Sequence, residues 1–189
     1  MEPAELRTAR AVLSAPNETD VDAIFEACQD PAIQRYVALP SPYERKHAEG
    51  FIPIVAQHWA KESEYTWAVR ADDDLAGVIA LLADGDGAAE IGYWMVPRAR
   101  GRGLLTEAAR AVIDWGFSPD GGKLERIEWR SVAGNIPSAR TARALGFRYE
   151  GLLRRAQVGN RGREDGWIAG LLATDDRMPQ VWPVLERST

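Results

Sequence analysis

The spacing of apolar and polar residues changes several times along the chain, and each change marks an element. Residues 6–13 and 65–70 carry apolar and β-branched residues at strand spacing. Residues 75–83 and 88–96 are apolar runs too short for helices. Between these runs, Ala71-Asp-Asp-Asp74 and Asp84-Gly-Asp-Gly87 read as turns, the second closing an antiparallel hairpin. The clearest helix covers Leu104–Phe117, where Leu105, Ala108, Ala109, Val112 and Ile113 fall on one face. Weaker helical patterns cover 20–29, after the Pro16 to Asp20 turn, and 32–37. Ser41 and Pro42 suit the cap and first position of a further helix, which Pro53 should kink or split before Lys61. Then come a strand over 126–131 and a helix over 137–145 closed by Gly146. Strands at 147–154 and 164–172 follow, joined by the Gly159-Asn-Arg-Gly162 turn.

This order predicts an α/β (α+β) fold with a mixed, largely antiparallel sheet flanked by helices. All 189 residues read as one domain, with a core over 6–172 and a tail over 173–189 that contains Pro179 and Pro183 and shows no pattern. No internal repeat or low-complexity segment interrupts it.

Composition narrows the classes. The net charge of −5 argues against a broad nucleic-acid footprint. No apolar run approaches the roughly 20 residues of a membrane span, and Met1 to Arg7 lacks the apolar core of a signal peptide. The expectation is a cytoplasmic protein without membrane partners. Cys28 is the only cysteine, in an apolar-periodic segment, and reads as a small buried thiol. With two histidines and one cysteine the chain makes no convincing metal set, so no metal is expected.

The chemistry concentrates in Ile91-Gly-Tyr-Trp-Met-Val-Pro-Arg98-Ala-Arg100-Gly101-Arg102-Gly103, which leads directly into the helix at Leu104. Strand, Gly/Arg loop and helix N-terminus together favour a diphosphate: glycines let backbone N–H groups approach, the helix end adds partial positive charge, and arginines pair from the rim. A solvated basic turn is the plain alternative. A nucleoside-triphosphate loop would need Lys-Ser/Thr where Leu104 and Leu105 stand. A dinucleotide fingerprint would need a third glycine where Thr106 stands. The surviving pattern, Arg/Gln-x-x-Gly-x-Gly/Ala, is met by Arg98, Gly101 and Gly103. It resembles the acyl-CoA pyrophosphate loop of the GNAT acetyltransferases.

A second stretch agrees. Asn135-Ile-Pro-Ser138, followed by a short helix ending in Leu145-Gly146-Phe147, resembles the RimJ/RimL-like branch of that family, which includes acetylases of ribosomal-protein N-termini. The resemblance runs from about Leu6 to about Leu172. It implies the GNAT fold, in which the strands ending near Val96 and starting near Arg126 splay apart to admit acyl-CoA. It implies acetyl-CoA as co-substrate, bound through Met95, Val96, Arg98, Arg100, Gly101, Arg102, Gly103, Leu104 and Asn135. Met95 and Val96 would use backbone groups on the pantetheine and on the carbonyl oxygen; Asn135 would touch the pantetheine arm or simply form an Asx-turn. Dimers are common in the branch, so a homodimer is compatible with it.

The implied reaction is direct attack of an amine on the thioester in a ternary complex. A peptide α-amine, with a pKa of about 8, is roughly one-tenth neutral at pH 7, whereas a lysine near 10.4 is almost wholly charged. Glu90, on the strand beneath the thioester, is the candidate base, with an exposed strand-end carboxylate as the alternative; Glu128 is a weaker candidate. Ser138 resembles the serine that hydrogen-bonds the CoA sulfur in RimL-like enzymes, and it can equally cap its helix. Many family members carry a tyrosine acid seven positions after the asparagine, where Ala142 stands here. Tyr93, Trp94, Trp115, Trp129 and Trp167 read as packing or cleft wall, and His47 and His58 as helix-surface or cleft residues.

The acceptor side holds Tyr36, Tyr43, His47, Trp59 and Arg161, none in a motif that selects a substrate. A protein N-terminal α-amine stands beside antibiotic, polyamine and amino-acid amines. A non-catalytic acyl-CoA-binding regulatory module would keep the loop and lose the acid and base.

Overall fold

A computed structural model describes residues 1–159 and 161–186. Its elements are β1 (Leu6–Arg7), β2 (Val12–Ser14), α1 (Val21–Ala27), α2 (Pro31–Tyr36), α3 (Arg45–Lys61), β3 (Glu64–Ala71), β4 (Asp74–Ala83), β5 (Ala88–Met95), α4 (Leu104–Phe117), β6 (Arg126–Val132), α5 (Ile136–Ala144), β7 (Arg148–Gly159) and β8 (Gly162–Leu172). Short 3₁₀ turns at Glu18–Asp20 and Pro97–Ala99 precede α1 and follow β5. The strands form one sheet in the order β1-β2-β3-β4-β5-β6-β8-β7.

Every neighbouring pair is antiparallel except β5 and β6. That parallel pair holds only over Ala88–Arg126, Ala89–Ile127 and Glu90–Glu128. Beyond it β6 continues with β8 through Val132, paired with Gly166, while β5 continues with β4 to Met95, paired with Gly77. A fork therefore opens in the middle of the sheet. It is the mixed fold expected from the sequence, with the splay at the expected strands.

Strand alternation assigns the two faces. Trp67, Ile79, Ile91 and Met95 share one face with Ile127 and Trp129 and pack with Ala108, Ala109, Val112 and Ile113 of α4. All four of those α4 side chains are buried, as their 3.6-residue period predicts. Ala68 on the opposite face packs with Val21 and Ile24 of α1 and Ala48 of α3, and Trp94 lies against them. At one end Trp59, Tyr65, Trp67 and Trp115 meet edge to face, with centroids 4.8–5.6 Å apart.

Several boundaries differ from the pattern-based reading. The strand expected over 6–13 is a two-strand hairpin, Leu6 opposite Leu13, because the Thr8 hydroxyl accepts from the Ala11 N–H at 3.0 Å and turns the chain. The third helix begins at Arg45 rather than at Ser41: Glu44 caps it, and the Glu44 N–H donates to His47 Nδ1 at 2.9 Å. It also runs through Pro53 to Lys61. Pro53 and Glu49 both lie on the exposed face, where the carbonyl that loses its donor stays open to solvent. The strands after Gly146 reach Gly159 and start at Gly162; Asn160 of the expected turn lies outside the described residues.

The stretch after Leu172, patternless in the sequence, contributes to the core. Trp182 is fully buried against Trp129 and Tyr149, and its Nε1–H donates to Phe147 O at 3.0 Å. Gly146 makes room for the tail: a Cβ there would lie 2.5 Å from Arg177 Cα. Its φ of +93° is the left-handed C′ conformation expected after α5.

Candidate active site

The predicted residues lie along the two arms of the fork and in the turns that follow them. The Val96 N–H donates to Ala76 O at 2.9 Å, on the β4 side. Peptide groups alternate sides along a strand, so those of Tyr93 and Met95 face the fork. This corrects the expectation for Val96, whose N–H is turned away and engaged. The Met95 carbonyl accepts from Arg100 Nε at 2.9 Å, which leaves the Met95 N–H as the donor at this position.

Beyond β5 the chain turns into the loop. Gly101 and Gly103 both have φ of +73°. A Cβ would meet nothing within 4 Å at Gly101, and only Arg10 Nη2 at 3.7 Å at Gly103. Glycine is thus required by backbone conformation, and the space over the loop stays open. Gly103 is the N-cap of α4 and supplies no side-chain cap. Among the described residues, the N–H groups from Gly101 to Thr106 donate to no protein acceptor. Unpaired donors at the positive end of a 14-residue helix fit a diphosphate. The Leu104 side chain is buried, so only its N–H can serve.

The three loop arginines separate. Arg98 Nη2 reaches Asp74 Oδ2 at 3.3 Å and Leu75 O at 3.2 Å. Arg100 is a strut: besides Met95 O it holds Asp30 Oδ1 at 2.8 Å, an Asp whose carboxyl is kept below its usual range chiefly by this bond. This redirects the expectation that Arg100 binds phosphate. Arg102 is exposed, with no side-chain partner among the described residues, and is the arginine free to meet one.

The loop is held by a residue that the sequence did not single out. Arg10, between β1 and β2, donates from Nη1 to Arg102 O at 2.9 Å and from Nε to Glu107 Oε2 at 2.7 Å. Its backbone N–H adds a bond to Glu107 Oε1 at 2.9 Å. The Thr8 hydroxyl and Arg10 together hold the Glu107 carboxyl below its usual range. Arg10 and Glu107 lie 97 positions apart, and no local pattern links them.

Ser138 and Tyr93 meet on the α4–α5 face. Trp129 Nε1–H donates to Ser138 Oγ at 3.0 Å, and the Ser138 hydroxyl donates to Tyr93 Oη at 3.1 Å. The Tyr93 hydroxyl donates to Ser138 O at 3.2 Å. Burial pushes the Tyr93 hydroxyl up to about 12, against smaller lowering by its bonds to Ser138 and Trp129. The phenol thus both donates to the Ser138 carbonyl and accepts from the Ser138 hydroxyl. Sequence reasoning treated Tyr93 and Trp129 as packing; only the fold brings them to Ser138. Asn135 is held within its own turn. Its Oδ1 accepts from the Ser138 N–H at 3.4 Å, which makes it the N-cap of α5, and its Nδ2–H donates to Ser131 Oγ at 3.0 Å.

Glu90 lies on the opposite face, three residues before Tyr93, and is half-buried at the apex of the fork. Burial raises its carboxyl, partly offset by Arg130, whose Nε is 3.8 Å away, and reinforced by the neighbouring Glu128. Glu128 differs: although burial acts to raise it, bonds from Arg126 at 3.0 Å and Arg130 at 2.8 Å outweigh that and hold it lowered. Glu128 is thereby fixed as an ion-pair centre, and Glu90 is the carboxylate left half-free.

The other aromatic candidates divide. Trp59 is core, and Tyr43 is buried beside Cys28, whose thiol is pushed up by burial. His47 caps α3, whereas Tyr36 is exposed, with the Arg35 guanidinium 5.0 Å from its ring. Among the described residues no helix is long and apolar enough to cross a membrane, and no three His, Cys, Asp or Glu side chains gather as metal ligands.

Comparison with known proteins agrees with this geometry. Residues 10–148 match the Acetyltransferase (GNAT) domain. The chain is 30% identical over 159 residues to the uncharacterized N-acetyltransferase YoaA of Bacillus subtilis (strain 168), covering 82% of this chain and 89% of that one. It is 28% identical over 123 residues to the ribosomal-protein-serine acetyltransferase of Escherichia coli (strain K12), covering 64% of this chain and 65%, less than two thirds, of that enzyme. The structure of Mycobacterium smegmatis RimJ in complex with CoA-disulfide superposes with a TM-score of 0.80 at 22% identity, over 94% of this chain and 88% of that one. The chain belongs to the GNAT acetyltransferase family, and the relatives it matches are N-acetyltransferases, a ribosomal-protein-serine acetyltransferase among them.

Proposed function

We propose that this protein transfers the acetyl group of acetyl-CoA to the N-terminal α-amine of a polypeptide. The observation that carries the reading is the division of groups across the fork: Glu90 on one face, and the hydroxyls of Ser138 and Tyr93 on the other. Acetyl-CoA supplies the activated carbonyl, and the N–H groups of Gly101 to Leu105 with Arg102 would hold its diphosphate. Glu90, directly or through water, takes a proton from the incoming ammonium. The amine nitrogen bonds to the thioester carbon with the Met95 N–H as oxyanion donor. The carbon–sulfur bond then breaks, and the thiolate leaves towards Ser138. The proton released by nitrogen reaches sulfur by solvent or relay, with the serine orienting it.

A carboxylate is a weak base even when burial raises it. An α-amine near pKa 8 suits it, because a useful neutral fraction already exists; a lysine near 10.4 does not. The ribosomal-protein-serine acetyltransferase among the relatives supports a protein acceptor. The test is thiol release from acetyl-CoA by purified protein with a panel of acceptors. Peptides with free N-termini should react, and the same peptides with blocked N-termini but free lysines should not. Turnover confined to polyamines, amino acids or antibiotics would replace this reading, and no turnover with any amine would favour a binding module.

A further inference from the structure

The β7–β8 hairpin carries Arg154 and Arg155 on one strand, Arg161 just before the other and Arg163 within it, all exposed. This concentration stands against a chain net charge of −5. Among the described residues none of the four has a carboxylate within 4 Å of its guanidinium. The neighbouring Glu164 is already bound by Arg35, through contacts of 2.9 and 2.7 Å. Arginines without counter-charges on an acidic protein repel one another and gain from an anionic partner.

The backbone presents them deliberately. The register passes from Leu153–Gly166 to Gln157–Glu164, so residues 154–156 bulge out of the ladder. Arg155 sits at φ +50°, a conformation that costs a non-glycine residue free energy. Two bonds hold it there: the Arg155 N–H donates to Asp165 Oδ1 at 2.8 Å, and Arg163 Nη1 donates to Arg155 O at 3.3 Å. The bulge also borders the candidate site. The Asp165 carbonyl accepts from the Ala133 N–H at 2.8 Å, immediately beyond β6 and thus at the open end of the fork. On the other side of that opening α2 is tied to the hairpin by Arg35 and, through Asp30, to Arg100 beyond β5.

We propose that the arginine-bearing bulge of this hairpin, with Arg161 and Arg163, docks acidic side chains of the acceptor polypeptide, downstream of the amine that enters the fork. The inference deepens the acetyl-transfer reading and rests on it for its kinetic test. A peptide is favoured over a nucleic acid on two grounds. The hairpin from Gly151 to Gly166 contains no aromatic residue on which a base could stack, and the net negative chain opposes a long polyphosphate.

Two peptides sharing their first four residues test it, one continuing with Asp and Glu, the other with Asn and Gln. At low ionic strength the protein should prefer the acidic peptide in kcat/KM by roughly tenfold, the scale of a few exposed ion pairs acting together. Added salt should erase the preference. Arg154→Gln should reduce it, and so should Arg155→Gly, which keeps the left-handed backbone; circular dichroism checks that both remain folded. Anisotropy of the labelled acidic peptide without acetyl-CoA separates the two ideas. Salt-sensitive binding lost in Arg154→Gln supports docking even if no peptide is acetylated, an outcome that would sink only the transfer reading. A kcat/KM ratio near one, with binding indifferent to both substitutions, overturns the proposal. Tighter, arginine-dependent binding of a single-stranded oligoribonucleotide than of the peptide overturns it in favour of a nucleic-acid surface.

Discussion

Tyr93 Oη and Ser138 Oγ lie 3.1 Å apart although 45 positions separate them in the chain. Tyr93 projects from β5 and Ser138 from the first turn of α5, so the contact spans the fork on the α4–α5 face. If Ser138 meets the departing sulfur, its bond strengthens as charge develops there. Ser138→Ala should then lower kcat on the order of tenfold to a hundredfold, with a smaller effect on acetyl-CoA binding. Tyr93→Phe should cost less, and the double substitution should be no worse than Ser138→Ala alone, because the two hydroxyls act as one unit. Steady-state kinetics on the three variants decide this; additive losses would show independent roles.

Gly103→Glu should abolish acetyl-CoA binding measured by calorimetry while the protein stays folded. The reason is conformation and charge rather than crowding within the protein. The site needs φ of +73°, and a carboxylate would sit among the N–H groups meant for phosphate. Gly103→Ala isolates the first cause, at about 1 kcal/mol of strain, and should weaken binding less. Unchanged affinity in folded Gly103→Glu would remove the loop from the cofactor site.

Arg10→Gln tests the support of the loop. Arg10 holds Arg102 O and Glu107, so its loss should raise KM for acetyl-CoA several-fold with kcat little changed. Arg10→Lys should rescue poorly, since a point charge cannot keep both contacts.

Glu90→Gln should lower kcat/KM most at low pH, where the acceptor is mostly ammonium, and the defect should shrink as pH approaches the amine's own pKa. The Glu90 carboxyl is raised by burial, so the parent's acid limb should begin above the ordinary carboxylate range and vanish in Glu90→Gln. Recovery near pH 8 would indicate an α-amine acceptor, and recovery only towards 10.4 a lysine-like one. Profiles that stay parallel at every pH would exclude Glu90 as the base.

The C-terminal stretch supplies a prediction of stability. Trp182→Ala removes a fully buried side chain and its bond to Phe147 O, and should cost about 3–5 kcal/mol in denaturant unfolding. Removal of residues 174–189 should destabilise at least as much.

Local physics made much of this legible from residues alone. The helix at Leu104–Phe117 followed from an apolar face repeating every 3.6 residues. The loop before it followed from glycines that accept positive φ, and the hairpin at 84–87 from turn chemistry. Each of these is decided by neighbours in the chain, and so is Gly146 as a helix stop. What required tertiary structure were relationships between distant residues. Alternation alone could not say that Glu90 and Tyr93 would flank a fork, because the fork exists only where β5 and β6 stop pairing after Glu128. Composition could not separate Arg100 from Arg102, since the difference is whether Asp30 and Met95 O lie within reach. The clamp by Arg10 and the burial of Trp182 depend on contacts made 92 and 35 positions away. The residues of a short-range pattern carry their partners with them, whereas a side chain that binds across the sheet acquires its role only when the chain closes.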